Sequence, residues 1–450
     1  MLKYGQKIEV KIDKIITGGD GIAKYENIVV MVPYAVPKDK LLVEITEIKR
    51  NYARGKIVSI LSPSPNRIVP PCPIHYTLTS NPCFYCGGCD FQMIKYEKQL
   101  EFKTKIVQDF FDVPIKSILP APNPFGYRNK VQMPIGGSSK KVFMGFFHPQ
   151  SHRIVDVRNC LLETQLANKI ISSVRDLINE YKIQPYNEDA NRGVLRHIIL
   201  RQSMAFNEVM LIFVSKTNFI SNLREITGKI TKKFPEIVSI YHNINFQRTN
   251  VIFGDKSFKI FGKDTIREKI GNVVFEISPT SFFQVNTAQA AKLYDVIKNF
   301  ANLKGTENII DVYSGCGGIT LYLAPYCKSI KGIEEVASAV ADAIRNARIN
   351  NIRNTYFIRG NADYTLRKMD FTKYNIVILD PPRAGCSEDV IKVLLRLKPQ
   401  KIIYTSCNPA TLARDVKILS QSYKINEIQP VDMFPQTSHI ECVVSLVCIS

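Results

Sequence analysis

No stretch of this 450-residue chain is apolar for long enough to cross a bilayer, and no segment is internally repeated or low in complexity. The opening Met1-Leu-Lys-Tyr-Gly-Gln-Lys-Ile-Glu-Val10 places charges where a signal peptide needs an apolar core. These absences set aside membrane, secretory and repeat architectures and lead to the expectation of a cytoplasmic protein with no membrane partner. Acidic residues are also scarce beside basic ones, 40 Asp and Glu against 60 Lys and Arg, which leaves a formal charge of +20. An excess of that sign favours a polyanionic partner such as nucleic acid.

The chain is 45% hydrophobic and 22% charged, the balance of a globular protein. At 450 residues it exceeds one ordinary core, so two or three domains are expected, in a monomer. Residues 1–60 alternate apolar and polar positions in short runs, with Gly18-Gly-Asp-Gly21 as a turn, and predict a small β-barrel. The proline-rich stretch Ser62-Pro-Ser-Pro65 and Pro70-Pro-Cys-Pro73 marks a linker. Residues 61–275 then mix a charged helical stretch, 96–111, with β-like runs such as 194–200 and 209–214, as in a central α+β domain. From 276 to 450 strands alternate with helical patterns, the βαβ rhythm of a parallel, doubly wound sheet.

Three of those strands end in loops suited to chemistry. The first runs into Asp311-Val-Tyr-Ser-Gly-Cys-Gly-Gly318, another into Asp380-Pro-Pro-Arg-Ala-Gly385, and a third into Tyr404-Thr-Ser-Cys-Asn-Pro-Ala-Thr-Leu-Ala-Arg-Asp415. Glycines in the first loop let a cofactor approach the backbone, and Glu334, ending the second strand, can accept both ribose hydroxyls of an adenosine. An acid there is shared with dinucleotide enzymes, whereas Asp380-Pro-Pro is a fourth-strand feature that dehydrogenases do not need.

On these motifs the chain resembles the RNA 5-methyluridine methyltransferases, which use S-adenosylmethionine to methylate C5 of uridine in 23S rRNA and tRNA. Its N-terminal half is similar to the iron-sulfur-containing ribosomal branch. The resemblance implies an OB-like TRAM barrel, a central domain with a cluster, and a Rossmann-like class I methyltransferase domain. It also implies S-adenosylmethionine contacts from Gln284, Tyr313, Glu334 and Asp380, with Asn361 near the adenine. The family's glycine loop often continues with Asn, and Gly318 stands there instead.

Methylating uridine C5 demands activation of a poor nucleophile. A thiolate added at C6 raises electron density at C5, and a base must later remove the C5 proton so that the thiolate can leave. Cys407 fits the first role, since residues 408–415 can begin a helix whose N-terminal amides favour a thiolate. Glu441 fits the second, at the entry of a polar loop into the apolar strand 443–447, where partial desolvation raises a carboxylate toward a useful base. In the family the matching Glu is that base. His439 reads as structural, and Arg383 as a phosphate or base contact.

Four cysteines bunch at Cys72, Cys83, Cys86 and Cys89, with Cys160 downstream, a pattern that in a cytosolic protein favours a metal or a cluster over disulfides. The shared C-x-x-C spacings suit zinc or iron-sulfur alike. The resemblance implies a [4Fe-4S] cluster on Cys72, Cys86, Cys89 and Cys160, with Cys83 as an alternative first ligand.

A uridine inside folded RNA must be flipped out to reach Cys407. Lysine-rich stretches at 38–40, 49–50 and 140–141 can hold phosphates. The leading expectation is therefore methylation of a uridine in 23S rRNA, with the tRNA T-loop uridine as the nearest rival. A non-catalytic iron-sulfur RNA-binding or ribosome-assembly protein is the rival of another class.

Overall fold

The computed structural model describes residues 2–78, 84–370 and 373–449. Alternation in Lys7–Lys11 buries Ile8 and Val10 and leaves the lysines outside, and the same period sends Leu41, Val43 and Ile45 inward from Lys40–Ile48. These strands join four others in a six-stranded sheet around a core of their own. The turn at Gly18 and Gly19 has φ of +93° and +90°, conformations suited to glycine.

A seven-stranded sheet forms the middle of the chain, with neighbours in the order Lys256–Gly262, Ile237–Ile244, Val209–Ser215, Leu195–Gln202, Lys130–Ser138, Lys141–Phe147 and Ile154–Asp156. The helices Gln165–Glu180 and Leu223–Lys233 cover one face, where Val131, Met133 and Ile135 meet Ile170, Val174 and Ile226.

The C-terminal sheet carries β1 (Asn308–Val312), β2 (Ser329–Glu334), β3 (Thr355–Arg359), β4 (Ile376–Leu379), β5 (Lys401–Ser406), β6 (Tyr423–Val431) and β7 (Glu441–Cys448), in the order β3-β2-β1-β4-β5-β7-β6. The first five are parallel, and β7 runs antiparallel between β5 and β6. Strand order reverses between β1 and β4, and crevices at such a reversal are where open α/β sheets bind ligands.

Two segments that the sequence assigns to the middle region, 61–275, pack instead with the C-terminal sheet. Phe91, Met93, Ile106, Val107 and Ile118 share a core with β4, β5, β6 and β7, and Leu119 bridges to Val431. The hairpin Ile266–Ile270/Val273–Ile277 packs on the helix Thr287–Ala301. The hairpin alternates in burial and the helix Tyr96–Gln108 buries one face, but neither pattern says which sheet the apolar face will meet.

Candidate active site

The β5–β7 ladder brings the two sequence-predicted catalytic residues together. Its last pair is Ser406 with Cys442, and Cys407 and Glu441 each stand one residue beyond that pair, near enough that the charge of Glu441 acts on the Cys407 thiol. Ser406 Oγ accepts from Asn408 N at 3.1 Å, and Asn408 Oδ1 caps the helix Pro409–Leu419 by accepting from Ala410 N at 3.1 Å. Cys407 therefore stands immediately before a capped helix with Pro at its start, a position its Ser-Cys-Asn-Pro context dictates.

The electrostatics of the thiol differ from the sequence expectation. Burial pushes Cys407 up, with the charges of Glu441 and Asp380 adding to it, while Arg383 and a backbone hydrogen bond pull the other way. The helix terminus alone does not make a resting thiolate here, because burial of the thiol, the largest influence on it, outweighs the amides. Glu441 is itself fully buried and pushed well above the usual carboxylate range, first by desolvation and then by Asp380. Asp380 is held up by burial to about 7. Burial thus pushes all three groups toward their protonated forms at rest.

Arg383 counters that acidity, and several contacts fix its loop. Its carbonyl accepts from Asn408 Nδ2 and Thr411 Oγ1, both at 3.3 Å, and its guanidinium lies 3.4 Å from the His439 ring. Burial and neighbouring cations hold His439 down at about 4, so it is neutral at pH 7. Tyr404 OH donates to Asp415 Oδ2 at 2.6 Å, and Cys386 N donates to the same carboxylate at 2.9 Å. Gly385, at φ +82°, leaves no room for a Cβ, which would fall 2.6 Å from both Arg414 Nη2 and Asp415 Oδ2. Sequence reading missed this Tyr404–Asp415–Cys386 lock; its signal was the polar Asp415 about two turns beyond the predicted nucleophile.

Gln284, Tyr313 and Asp380 line one cavity of 50 Å3 beside the reversal point, together with Gly315, Gly318 and the buried Asp311. Tyr313 adopts φ +68°, a left-handed conformation uncommon outside glycine and concentrated at functional sites. Asp311 Oδ1 and Ser314 Oγ are buried there without partners. Glu334 ends β2, and its carboxylate accepts from Gly315 N at 3.0 Å and Val336 N at 2.8 Å, gripping the glycine loop from behind. Asn361 follows β3 and caps the helix Ala362–Lys368 through Asp363 N and Tyr364 N. A Cβ on Gly318 would lie 2.5 Å from Tyr294 OH, so Tyr294 occupies space that a larger residue at 318 would need.

The barrel reaches this site. A Cβ on Gly19 would lie 2.9 Å from Asp90 Oδ2 and from Ser438 Cβ, and Asp90 accepts from Ser438 N at 2.6 Å and Ser438 Oγ at 2.5 Å. The barrel turn thus abuts the loop that carries His439 into Glu441.

Cys72, Cys86, Cys89 and Cys160 line a separate cavity of 90 Å3, joined by His75, Gln92 and Arg128. Cys83 lies outside the described residues. Among the described residues no three Cys, His, Asp or Glu side chains are grouped as ligands of a single metal ion. Burial raises Cys86 to about 11 and Cys89 to about 12, each with a further push from neighbouring cysteines. His75 Nε2, Gln92 Oε1 and Arg128 Nε are buried there without protein partners.

A parallel sheet ending in an antiparallel hairpin, with a thiol and a carboxylate paired beside the strand-order reversal and a β-barrel against their loop, defines a class I methyltransferase fold with an appended barrel. A model of the tRNA (Uracil-5-)-methyltransferase family matches residues 243–448, and one of the TRAM domain matches residues 2–58. The chain belongs to the RNA (uracil-5-)-methyltransferase family. It is 37% identical to an uncharacterized RNA methyltransferase of Halalkalibacterium halodurans, over 98% of this chain and 96% of that one. It is 39% identical to another of Clostridium tetani, over 95% and 93%. Among solved structures it is similar to the Pyrococcus abyssi tRNA (uracil-54, C5)-methyltransferase in complex with S-adenosyl-L-homocysteine, with TM-score 0.78, 30% identity, and 98% of this chain and 100% of that one covered. Among the described residues no helix is long and apolar enough to cross a membrane.

Proposed function

We propose that this chain transfers a methyl group from S-adenosylmethionine to C5 of a uridine in 23S rRNA through a covalent adduct with Cys407. The observation that carries the reading is the end of the β5–β7 ladder, where Cys407 and Glu441 come together and Asp380 acts on both. Gln284, Tyr313 and Asp380 would hold the cofactor, with Glu334 at the ribose, and the unpartnered Asp311 Oδ1 and Ser314 Oγ fit a polar ligand there. When bound, S-adenosylmethionine supplies the methyl group and leaves as S-adenosylhomocysteine.

The chain's own residues do the rest. Cys407 gives its Sγ proton to water, Glu441 gives up its own proton likewise, and Sγ then bonds to C6 of the flipped uracil, moving the C5–C6 electron pair toward C5 and O4. Arg383, the cation that lowers both Cys407 and Glu441, favours the thiolate and the developing anion. After C5 has gained its methyl group, ionised Glu441 takes the C5 proton, the C5–C6 double bond re-forms and the Sγ–C6 bond breaks. A carboxylate raised by burial suits proton abstraction from carbon better than an ordinary one.

Cys72, Cys86, Cys89 and Cys160 would hold a [4Fe-4S] cluster, and the buried Arg128 suits its negative charge. Such a cluster would join the linker and the cysteine loop to the loop at Cys160 that leads into the helix Gln165–Glu180, and the methyl transfer itself needs no electron. Iron and acid-labile sulfide in protein isolated without oxygen, both lost in Cys160→Ala, are the expected result; zinc in their place would refute the cluster.

Transfer of labelled methyl to unmodified 23S rRNA and to tRNA tests the reaction. Label is expected in ribosomal 5-methyluridine, absent with Cys407→Ala, and a denaturation-stable protein–RNA adduct is expected to accumulate with Glu441→Gln. The likeness to the Pyrococcus abyssi enzyme over 98% of the chain favours a second reading, the T-loop uridine of tRNA. Label in tRNA alone would select it, and label in neither would refute the enzymatic reading.

A further inference from the structure

The face of the middle sheet that its helices leave uncovered carries a second cavity, of 640 Å3, large enough for a nucleotide. In the strand Lys130–Ser138 the odd positions Val131, Met133 and Ile135 enter the helix-covered core, so Lys130, Gln132, Pro134 and Gly136 share the other face. Gln132, Pro134 and Gly136 line the cavity. At the near end of the same strand Asn129 Nδ2 donates to Gln284 O at 3.0 Å and to Thr287 Oγ1 at 2.8 Å. Lys130 stands between, its ammonium 5.9 Å from the Phe253 ring centre. One strand therefore runs from the cofactor loop to the cavity, about 3.3 Å per residue, so Pro134 is roughly 13 Å beyond Lys130, a span of about two extended nucleotides.

The walls suit a base. A Cβ on Gly136 would fall 2.5 Å from Phe143 Cε2, so glycine is what lets the Phe143 ring lie against the strand. Phe146, Phe147 and Tyr186 add aromatic surface. A bulge between Leu195 and His197 breaks the alternation there, and Arg196 and His197 both line the cavity. Arg196 lies 4.9 Å over the Tyr186 ring and donates to Asn245 O at 3.0 Å and Gln247 O at 2.6 Å, pinning the loop that forms one wall. His197 sits opposite Pro134 in the ladder, and its Nδ1 is buried without a protein partner. Burial and Arg196 keep that ring uncharged at pH 7, so it offers one donor and one acceptor, as a base edge requires. At the rim Glu188 Oε2 meets His152 Nδ1 at 2.9 Å, and the carboxylate of Asp189 beside them is unsuited to phosphate and suited to an exocyclic amino group.

We propose that this cavity is a subsite for an unpaired nucleobase of the substrate RNA, one that flanks the target uridine and stacks on Phe143 with its edge at His197. The proposal rests on the reading of the chain as an RNA-modifying enzyme and adds a base-reading site remote from the reacting uracil. Bases stacked on aromatic side chains are sequence-tolerant, and His197 with the Asp189 carboxylate gives the site a preference for amino-bearing bases.

Binding and turnover separate the two readings. The full chain is titrated with a single-stranded oligoribonucleotide carrying 2-aminopurine, whose fluorescence falls on stacking, using wild type, Cys407→Ala, Phe143→Leu and His197→Gln. Quenching on binding is expected in wild type and Cys407→Ala. A rise in Kd of about five-fold or more is expected in Phe143→Leu, the low end for one stacked base, with a smaller rise in His197→Gln. If Phe143→Leu lowers the Tm, His197→Gln decides. Unchanged affinity and quenching in both variants would overturn the proposal. Quenching retained in a protein that methylates neither 23S rRNA nor tRNA would leave the subsite standing and remove the methyltransferase reading.

Discussion

Lys103→Met should loosen the loop that delivers Glu441, far from any reacting atom. Lys103 and Asp432 are both fully buried and meet at 2.5 Å. Asp432 also accepts from Tyr96 OH at 2.8 Å, and Lys103 donates to Phe434 O at 3.1 Å. This pair clamps the helix Tyr96–Gln108 onto the loop after β6, whose other end is Glu441. Removing the cation strands a carboxylate without its countercharge, a loss of about 3–5 kcal/mol. Each 1.4 kcal/mol is tenfold in an opening equilibrium, so amide exchange in the loop should accelerate by roughly two to almost four orders of magnitude. The reporters are Gln436 N, bonded to Gln99 Oε1 at 3.1 Å, and Ser438 N, bonded to Asp90. Lys103→Met/Asp432→Asn should recover most of the protection, because the stranded charge is gone and the amide oxygen can still accept from Tyr96. Exchange in the single variant within tenfold of wild type, or a double variant no better than the single, would refute the clamp.

Gly385→Ala should cost about 1–3 kcal/mol through its left-handed φ and lower kcat/KM at least ~10-fold by displacing the Arg383 loop, read by urea denaturation and initial rates. Tyr404→Phe removes the hydroxyl donor to Asp415 and should cost about 1–3 kcal/mol. Asp311 is held up by burial at about 7 against 3.8, so its stabilising proton is fully present below pH 4 and is lost as the pH rises through 7. That loss amounts to ~4 kcal/mol in the ligand-free protein, and Asp311→Asn should flatten the decline of urea midpoint with pH.

Strand ends, the β-barrel and the parallel rhythm were legible because each follows from local pattern: apolar period, glycine turns and a capped helix start. The pairing of Cys407 with Glu441 was legible only through the chemistry, which demands a nucleophile and a base on one face, and through family resemblance. Nothing local announces that β7 turns back beside β5, and that reversal is what makes the pair adjacent. The resting state of the thiol was not legible for the same reason. A helix start speaks for a thiolate, but burial of the thiol outweighs it, and Asp380 and Glu441, whose charges add to that push, come from two other strands.

The placement of residues 91–121 has a different cause and a functional consequence. Their apolar face could have met either sheet; what selects the C-terminal one is a polar contact set, Lys103 and Tyr96 on Asp432 and Gln99 on Gln436, that no periodicity records. The segment that leaves the cysteine-lined cavity at Cys89 thereby continues through Asp90, which holds Ser438, into the helix that clamps Asp432. These two polar anchors of the Glu441 loop, Asp90 and Lys103, thus come from the stretch between the barrel linker and the middle sheet. A disturbance at the cysteine cavity would reach Glu441 through two hydrogen-bonded carboxylates, so Cys89→Ala should raise exchange at Ser438 N before it alters the cavity at Asp311. Equal loosening at Gly315 N, which Glu334 secures independently, would break that chain of cause.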